Sequence, residues 1–201
     1  MPPPPYALQE KWTVRQFSLN FKHVFSIEYL YKRVHEWLLE EGYCSVDSGP
    51  KSDKWMEKMY LERISGNNMK QIWVWWRSDK PYDNPFFKIY LNVDFHVLGL
   101  QDHEIVVNNQ KIKTNKGEVE TFITARLQLD PSGDWDKNFL LRNKYFQKFY
   151  LNRIYKKKIE QVENEVVRDA ARLLGAIKQY FQMESWLPEY AGPGYHPAKG
   201  E

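Results

Sequence analysis

The sequence predicts an α+β domain: an antiparallel sheet of about six strands, with an N-terminal helix and a long C-terminal helix packed on it. Three observations carry that prediction. Between Phe86 and Leu98, Phe87, Ile89, Leu91, Val93, Phe95 and Val97 alternate with Lys88, Asn92, Asp94 and His96, the period of a half-buried strand. After Ser26, a good N-cap, Ile27, Leu30, Tyr31, Val34, Trp37 and Leu38 recur at helical spacing, and Gly42 supplies the stop. From Tyr155 onward a second helical stripe runs through Ile159, Val162, Val166, Ala170, Leu173, Ile177 and Phe181.

In chain order, Pro2 to Pro5 hold residues 1–11 as an extended, proline-rich arm. A strand follows from Trp12 to Phe21, where Phe17, Leu19 and Phe21 alternate with Ser18 and Asn20. The helix after Ser26 ends in a loop around "VDSGPKSDK". Next, "WMEKMYLERI" and "KQIWVWWR" flank the turn residues Ser65 to Asn68, a hairpin pattern. The strand at 86–98 precedes a short hairpin about Asn108 and Asn109. "GEVETFITARLQLD" closes the sheet, with Ile123, Ala125, Leu127 and Leu129 on one side. The chain from Asp134 to Leu174 has no Pro or Gly and reads as helix. The domain spans 12–183, and 184–201 reads as a Pro/Gly-rich tail.

The helical third contains a phase conflict. Phe139, Phe146, Tyr150 and Ile154 cluster on a face roughly 150° from the later stripe. One straight helix cannot bury both faces on one sheet. A kink, a break or a second packing partner is therefore expected between Leu151 and Lys158.

Composition narrows the class. Eight Trp, thirteen Tyr and eleven Phe in 201 residues supply enough apolar area for a folded core. A single cysteine, Cys44, cannot form an internal disulfide, so a reducing compartment is expected. No run of 18 apolar residues and no secretory pattern at the N-terminus occur, so the expected location is cytoplasmic. The net charge of +3 argues for no polyanion by itself.

Its distribution does more. "NFLLRNKYFQKFYLNRIYKKK", Asn138 to Lys158, holds Arg142, Lys144, Lys148, Arg153, Lys156, Lys157 and Lys158, six aromatics including Tyr145, and no acid. Such segregation suits a nucleic acid, an acidic protein or an anionic membrane surface. The competing reading is a partly buried helix whose lysines snorkel or pair with distant acids. Asp94 and His96 share one strand face and are the metal-ligand candidates, but two ligands make no closed site. Trp73 and Trp75 face opposite to Val74 and Trp76, so one Trp face belongs to the core and the other to a second layer or an interface. Pro3-Pro4-Pro5-Tyr6 matches the four-residue pattern read by WW domains. No glycine-rich phosphate loop, no nucleophile–base constellation and no cofactor motif is present.

The element order strand, helix, antiparallel strands, long C-terminal helix resembles the helix-grip fold of START-like and polyketide-cyclase-like proteins. The wording of "LNVDFHVLGL" and "NKGEVE" also looks like a group of uncharacterised archaeal proteins. The helix-grip resemblance implies an apolar small-molecule site between sheet and last helix. Trp76, Phe87, Leu91, Phe95, Ile123 and Leu127 face that space. The expected function is a non-catalytic binding or scaffold module acting through the basic-aromatic segment. A carrier or enzyme with that apolar pocket is the alternative.

Overall fold

A computed structural model describes residues 8–45, 56–66, 68–107, 110–138 and 143–183. The Pro3–Tyr6 motif, the turn at Asn108 and Asn109 and the tail at 184–201 lie outside the described residues. The chain is α+β. Five long strands, β1 (Lys11–Phe25), β3 (Glu57–Ile64), β4 (Lys70–Pro81), β5 (Phe87–Val107) and β6 (Gln110–Leu129), join the two-residue β2 (Cys44–Ser45) in one antiparallel sheet. Its order is β1-β6-β5-β4-β2, with β3 also on β4. The helices are α1 (Ile27–Glu40), α2 (Asp134–Lys137), α3 (Lys144–Tyr150) and α4 (Lys156–Tyr180).

The period-two residues face as their spacing requires. Leu91, Val93, Ile123, Ala125 and Leu127 are fully buried beneath Ile159, Val162, Val166, Ala170 and Leu173 of α4. Ser26 caps α1, its side chain accepting from the Tyr29 amide, and Leu30, Val34, Trp37 and Leu38 are the buried stripe. Gly42 follows with φ of +79°, the left-handed turn that ends the helix. A polar clamp ties α1 to α4: Arg172 donates to both carboxylate oxygens of Glu41, at 3.1 and 2.8 Å, and reaches Asp169 at 2.6 Å. Tyr43 donates to Asp169 at 2.9 Å, and burial beside that carboxylate pushes its phenol far above the ordinary value.

The sheet differs from expectation in the extent of its strands: β1 runs on to Phe25 beyond the expected Phe21, and Cys44–Ser45 adds a short edge strand. The short hairpin and the closing strand are continuous with their neighbours, so β5 and β6 pair along almost their whole lengths. The apparent interruption is a register shift between Leu98 and Gln101, where Gly99 takes φ of +59°. Gly117 opposite makes room for it. A Cβ there would lie 3.1 Å from both Leu100 Cα and the Leu98 carbonyl oxygen.

The helical third is not continuous either. Asn138 leaves α2 in an extended conformation, and α3 begins afresh at an Asn143 cap. Between α3 and α4, Leu151–Tyr155 form a π-helical turn, inside the window where the phase conflict required a break. A π turn absorbs one extra residue, which rotates the helix beyond it by about 100°. Leu151 is thereby buried in line with Ile159 and Val162.

Candidate interaction surface

The elbow made by α2, α3 and the π turn is anchored by aromatic rings. Buried Asp130 accepts from the amides of Asp134 (2.9 Å) and Trp135 (3.1 Å), which starts α2 and orients Trp135. Trp135 stacks on Phe86 with centroids 4.5 Å apart and meets Tyr150 edge-on at 5.5 Å. Tyr155 packs against Phe86, Trp135 and Tyr150. The expected second packing partner is therefore Trp135, and it covers Tyr150 alone. Phe146 and Ile154, from the same face, stay exposed, and Phe139 lies outside the described residues.

The outward side of the elbow carries two adjacent lines at four-residue spacing. Lys144, Lys148 and Lys156 stand in one; Tyr145, Phe149, Arg153 and Lys157 stand in the other, and all seven are exposed. Tyr145 is 88% exposed and Phe149 56%. Lys156 approaches Glu160 at 3.7 Å, and Lys158 approaches Gln161 at 3.5 Å while its ammonium lies 5.8 Å from the centre of the Tyr82 ring. Among the described residues no carboxylate lies within ion-pair distance of Lys144, Lys148, Arg153 or Lys157. Arg142 lies outside the described residues. Sequence reasoning named Tyr145 but passed over Phe149; the signal was its position four residues further on.

The other candidates sit elsewhere. Trp76, Phe87, Leu91, Phe95, Ile123 and Leu127 are almost wholly buried and belong to one packed core with α4. An open groove of about 430 Å³ between α1 and the end of α4 is lined by Tyr29, Lys32, Arg33, Glu36, Ala176, Gln179 and Tyr180, and by none of those six. Asp94 and His96 do share the outer sheet face, yet they turn to different strands. Asp94 accepts from Arg77 of β4, whereas His96 Nδ1 lies 3.1 Å from Glu120 of β6 and its ring stacks on Trp73. Among the described residues no group of three His, Cys, Asp or Glu side chains is placed to hold a metal ion. The single cysteine, Cys44, donates its thiol to the Gly42 carbonyl.

Val74 and Trp76 are core, and Trp75 is 43% exposed on the opposite face beside Arg77. No described helix is long and apolar enough to cross a membrane. The chain matches no protein-family model and no curated protein sequence.

Proposed function

We propose that this chain is a non-catalytic binding module that holds an anionic partner on the elbow of α3, the π turn and the first turn of α4. The observation that carries this reading is the set of four exposed cations, Lys144, Lys148, Arg153 and Lys157, with no carboxylate beside them among the described residues. A solvated structural face ordinarily interleaves its charges, as α4 does with Lys156 and Glu160. Here the cations interleave instead with exposed Tyr145 and Phe149. Exposed aromatic rings next to unpaired cations suit a partner with both negative charge and flat or apolar surface.

The test is a variant with Lys144, Lys148, Arg153 and Lys157 all replaced by Gln. Wild type is expected to retain a single-stranded oligonucleotide, an acidic peptide or anionic vesicles, with affinity falling as salt rises. The variant should lose that binding while melting within a few degrees of wild type, since exposed lysines contribute little to folding. Equal binding by the variant, or no binding of any of the three probes by wild type at low salt, would refute the proposal.

A further inference from the structure

The sheet face turned away from α1 and α4 is covered by no described helix; their buried residues all pack on the opposite side. Cross-strand register arranges that face in rows. Trp75, Asp94, Phe122 and Ser18 form one; Arg77, Asn92, Thr124 and Gln16 the next; Asp79, Tyr90, Arg126 and Thr13 the third. Lys88, Gln128 and Lys11 end the series.

Three features of this face call for a ligand rather than for water alone. Trp75 and Phe122 present aromatic rings on strands flanking β5, about 10 Å apart at ordinary strand spacing. The acid between them, Asp94, is already engaged by Arg77. In the third row the cations converge on one ring: the Lys11 ammonium lies 4.2 Å from the centre of the Tyr90 ring and the Lys88 ammonium 5.4 Å. Arg126, directly opposite Tyr90, has a buried Nε without a hydrogen-bond partner. Lys88 meets Asp79 at 3.1 Å, whereas Lys11 and Arg126 meet no carboxylate among the described residues.

This cationic end is also the end that carries the elbow. Phe86, one residue before β5, is the platform for Trp135, and Tyr82, one residue beyond β4, lies under Lys158. A flexible polyanion lying on the elbow can therefore continue round the end of the sheet onto Lys11 and Arg126.

We infer that the outer sheet face is a stacking platform for single-stranded nucleic acid, its bases on Trp75 and Phe122 and its phosphates at Arg126 and Lys11. The inference rests on the anionic-partner reading for the elbow's share of the contact; Trp75, Phe122 and Arg126 supply the rest. Unpaired bases are the partner whose flat faces use both rings, and stacking tolerates any sequence. A duplex hides its base faces, and reading its edges takes an element that enters a groove, which a broad sheet does not supply. A lipid surface is disfavoured by the charge on this face, because exposed Gln16 and the part-exposed Arg77–Asp94 and Lys88–Asp79 pairs would lose water in an apolar layer. An acidic protein could use the cations and the rings as well, and its binding in place of single strands is the competing outcome of the test.

The experiment is fluorescence anisotropy with labelled 12-nucleotide RNA and DNA, at several salt concentrations, on the full chain. Trp75→Val and Phe122→Val should each weaken binding roughly 5- to 150-fold, the range for losing one base–aromatic stack. Trp75→Phe, which keeps a ring, should restore most of the affinity while removing the Trp75 share of fluorescence quenching. Arg126→Gln should flatten the dependence of log affinity on log salt by about 0.7, one phosphate contact on a single strand. Melting curves check that each variant is folded. If binding is lost in the fourfold elbow variant yet unchanged in Trp75→Val, Phe122→Val and Arg126→Gln, the platform is wrong and the elbow reading stands. If the sheet variants lose binding while the elbow variant keeps it, the platform stands without the elbow. Wild-type binding to vesicles, an acidic peptide or duplex only, with none to either single strand, would overturn the inference outright.

Discussion

The π turn at Leu151–Tyr155 makes a length-sensitive prediction. Leu151 and Ile159 are both buried and are eight residues apart. In an uninterrupted α-helix eight residues turn the chain by about 800°, leaving the two side chains about 80° out of line. The π turn takes up one residue, so the pair behaves as if seven apart, about 20° short of two full turns. Deleting exposed Asn152 should therefore convert the turn to regular α-helix and keep Leu151 in the stripe. Inserting one Ala after Asn152 leaves eight effective residues and swings Leu151 out of line. Exposing a leucine costs ~1.5–3 kcal/mol. Since 1 kcal/mol corresponds to about 2–4 °C in a chain of this size, the insertion should lower the melting midpoint by roughly 3–12 °C. The deletion should stay within about 2–4 °C of wild type. Scanning calorimetry and guanidinium melts on the three proteins decide it. A deletion as damaging as the insertion, or more so, would refute the phase argument and mean that the wide turn is held by contacts of its own.

Leu91→Ala removes a fully buried side chain from the middle of the sheet and should cost ~2–5 kcal/mol in chemical denaturation. The matching silent control is exposed Ser18→Ala, expected within about 0.5 kcal/mol; Asn92, though on the outer face, is itself buried by its neighbours and is no control. Glu163 accepts from Trp12 Nε1 at 3.1 Å, and burial raises its carboxyl above the ordinary value of 4.5. A raised native value favours the protonated form, so that contribution is complete below 4.5 and is lost as pH rises through the native value. Glu163→Gln keeps an acceptor for Trp12 and carries no charge. It should be at least as stable as wild type at pH 7, with any advantage shrinking as the pH falls toward 4.5; melts across that range that show the opposite trend would overturn the assignment.

Much of this architecture is dictated by local periodicity. The strict alternation from Phe87 to Val97 admits one inward face, and that face is the core. The Ser26 cap and the Gly42 stop bound α1, because each satisfies groups that any helix end leaves open. The need for a kink, a break or a second packing partner was visible as a jump between two stripes of one Pro- and Gly-free run, since a helix of fixed pitch cannot align both; that a π turn meets it was decided by the structure. The basic-aromatic character of the segment from Asn138 to Lys158 is likewise a matter of sequence, including its absence of acids. Pairing is not. Lys11, Lys88, Tyr90 and Arg126 lie on three strands up to 115 positions apart in number, and only the registers of β1, β5 and β6 bring them together. The same holds for Trp75 and Phe122, which share a face across β5 because the sheet is paired as it is. Which apolar residues of the elbow remain exposed was settled there too. Trp135 reaches Tyr150 and no further, and no described element extends over Phe146, Phe149 or Ile154. A residue's period is set by its own backbone, but its neighbours are set by a strand register and a helix phase that distant segments impose.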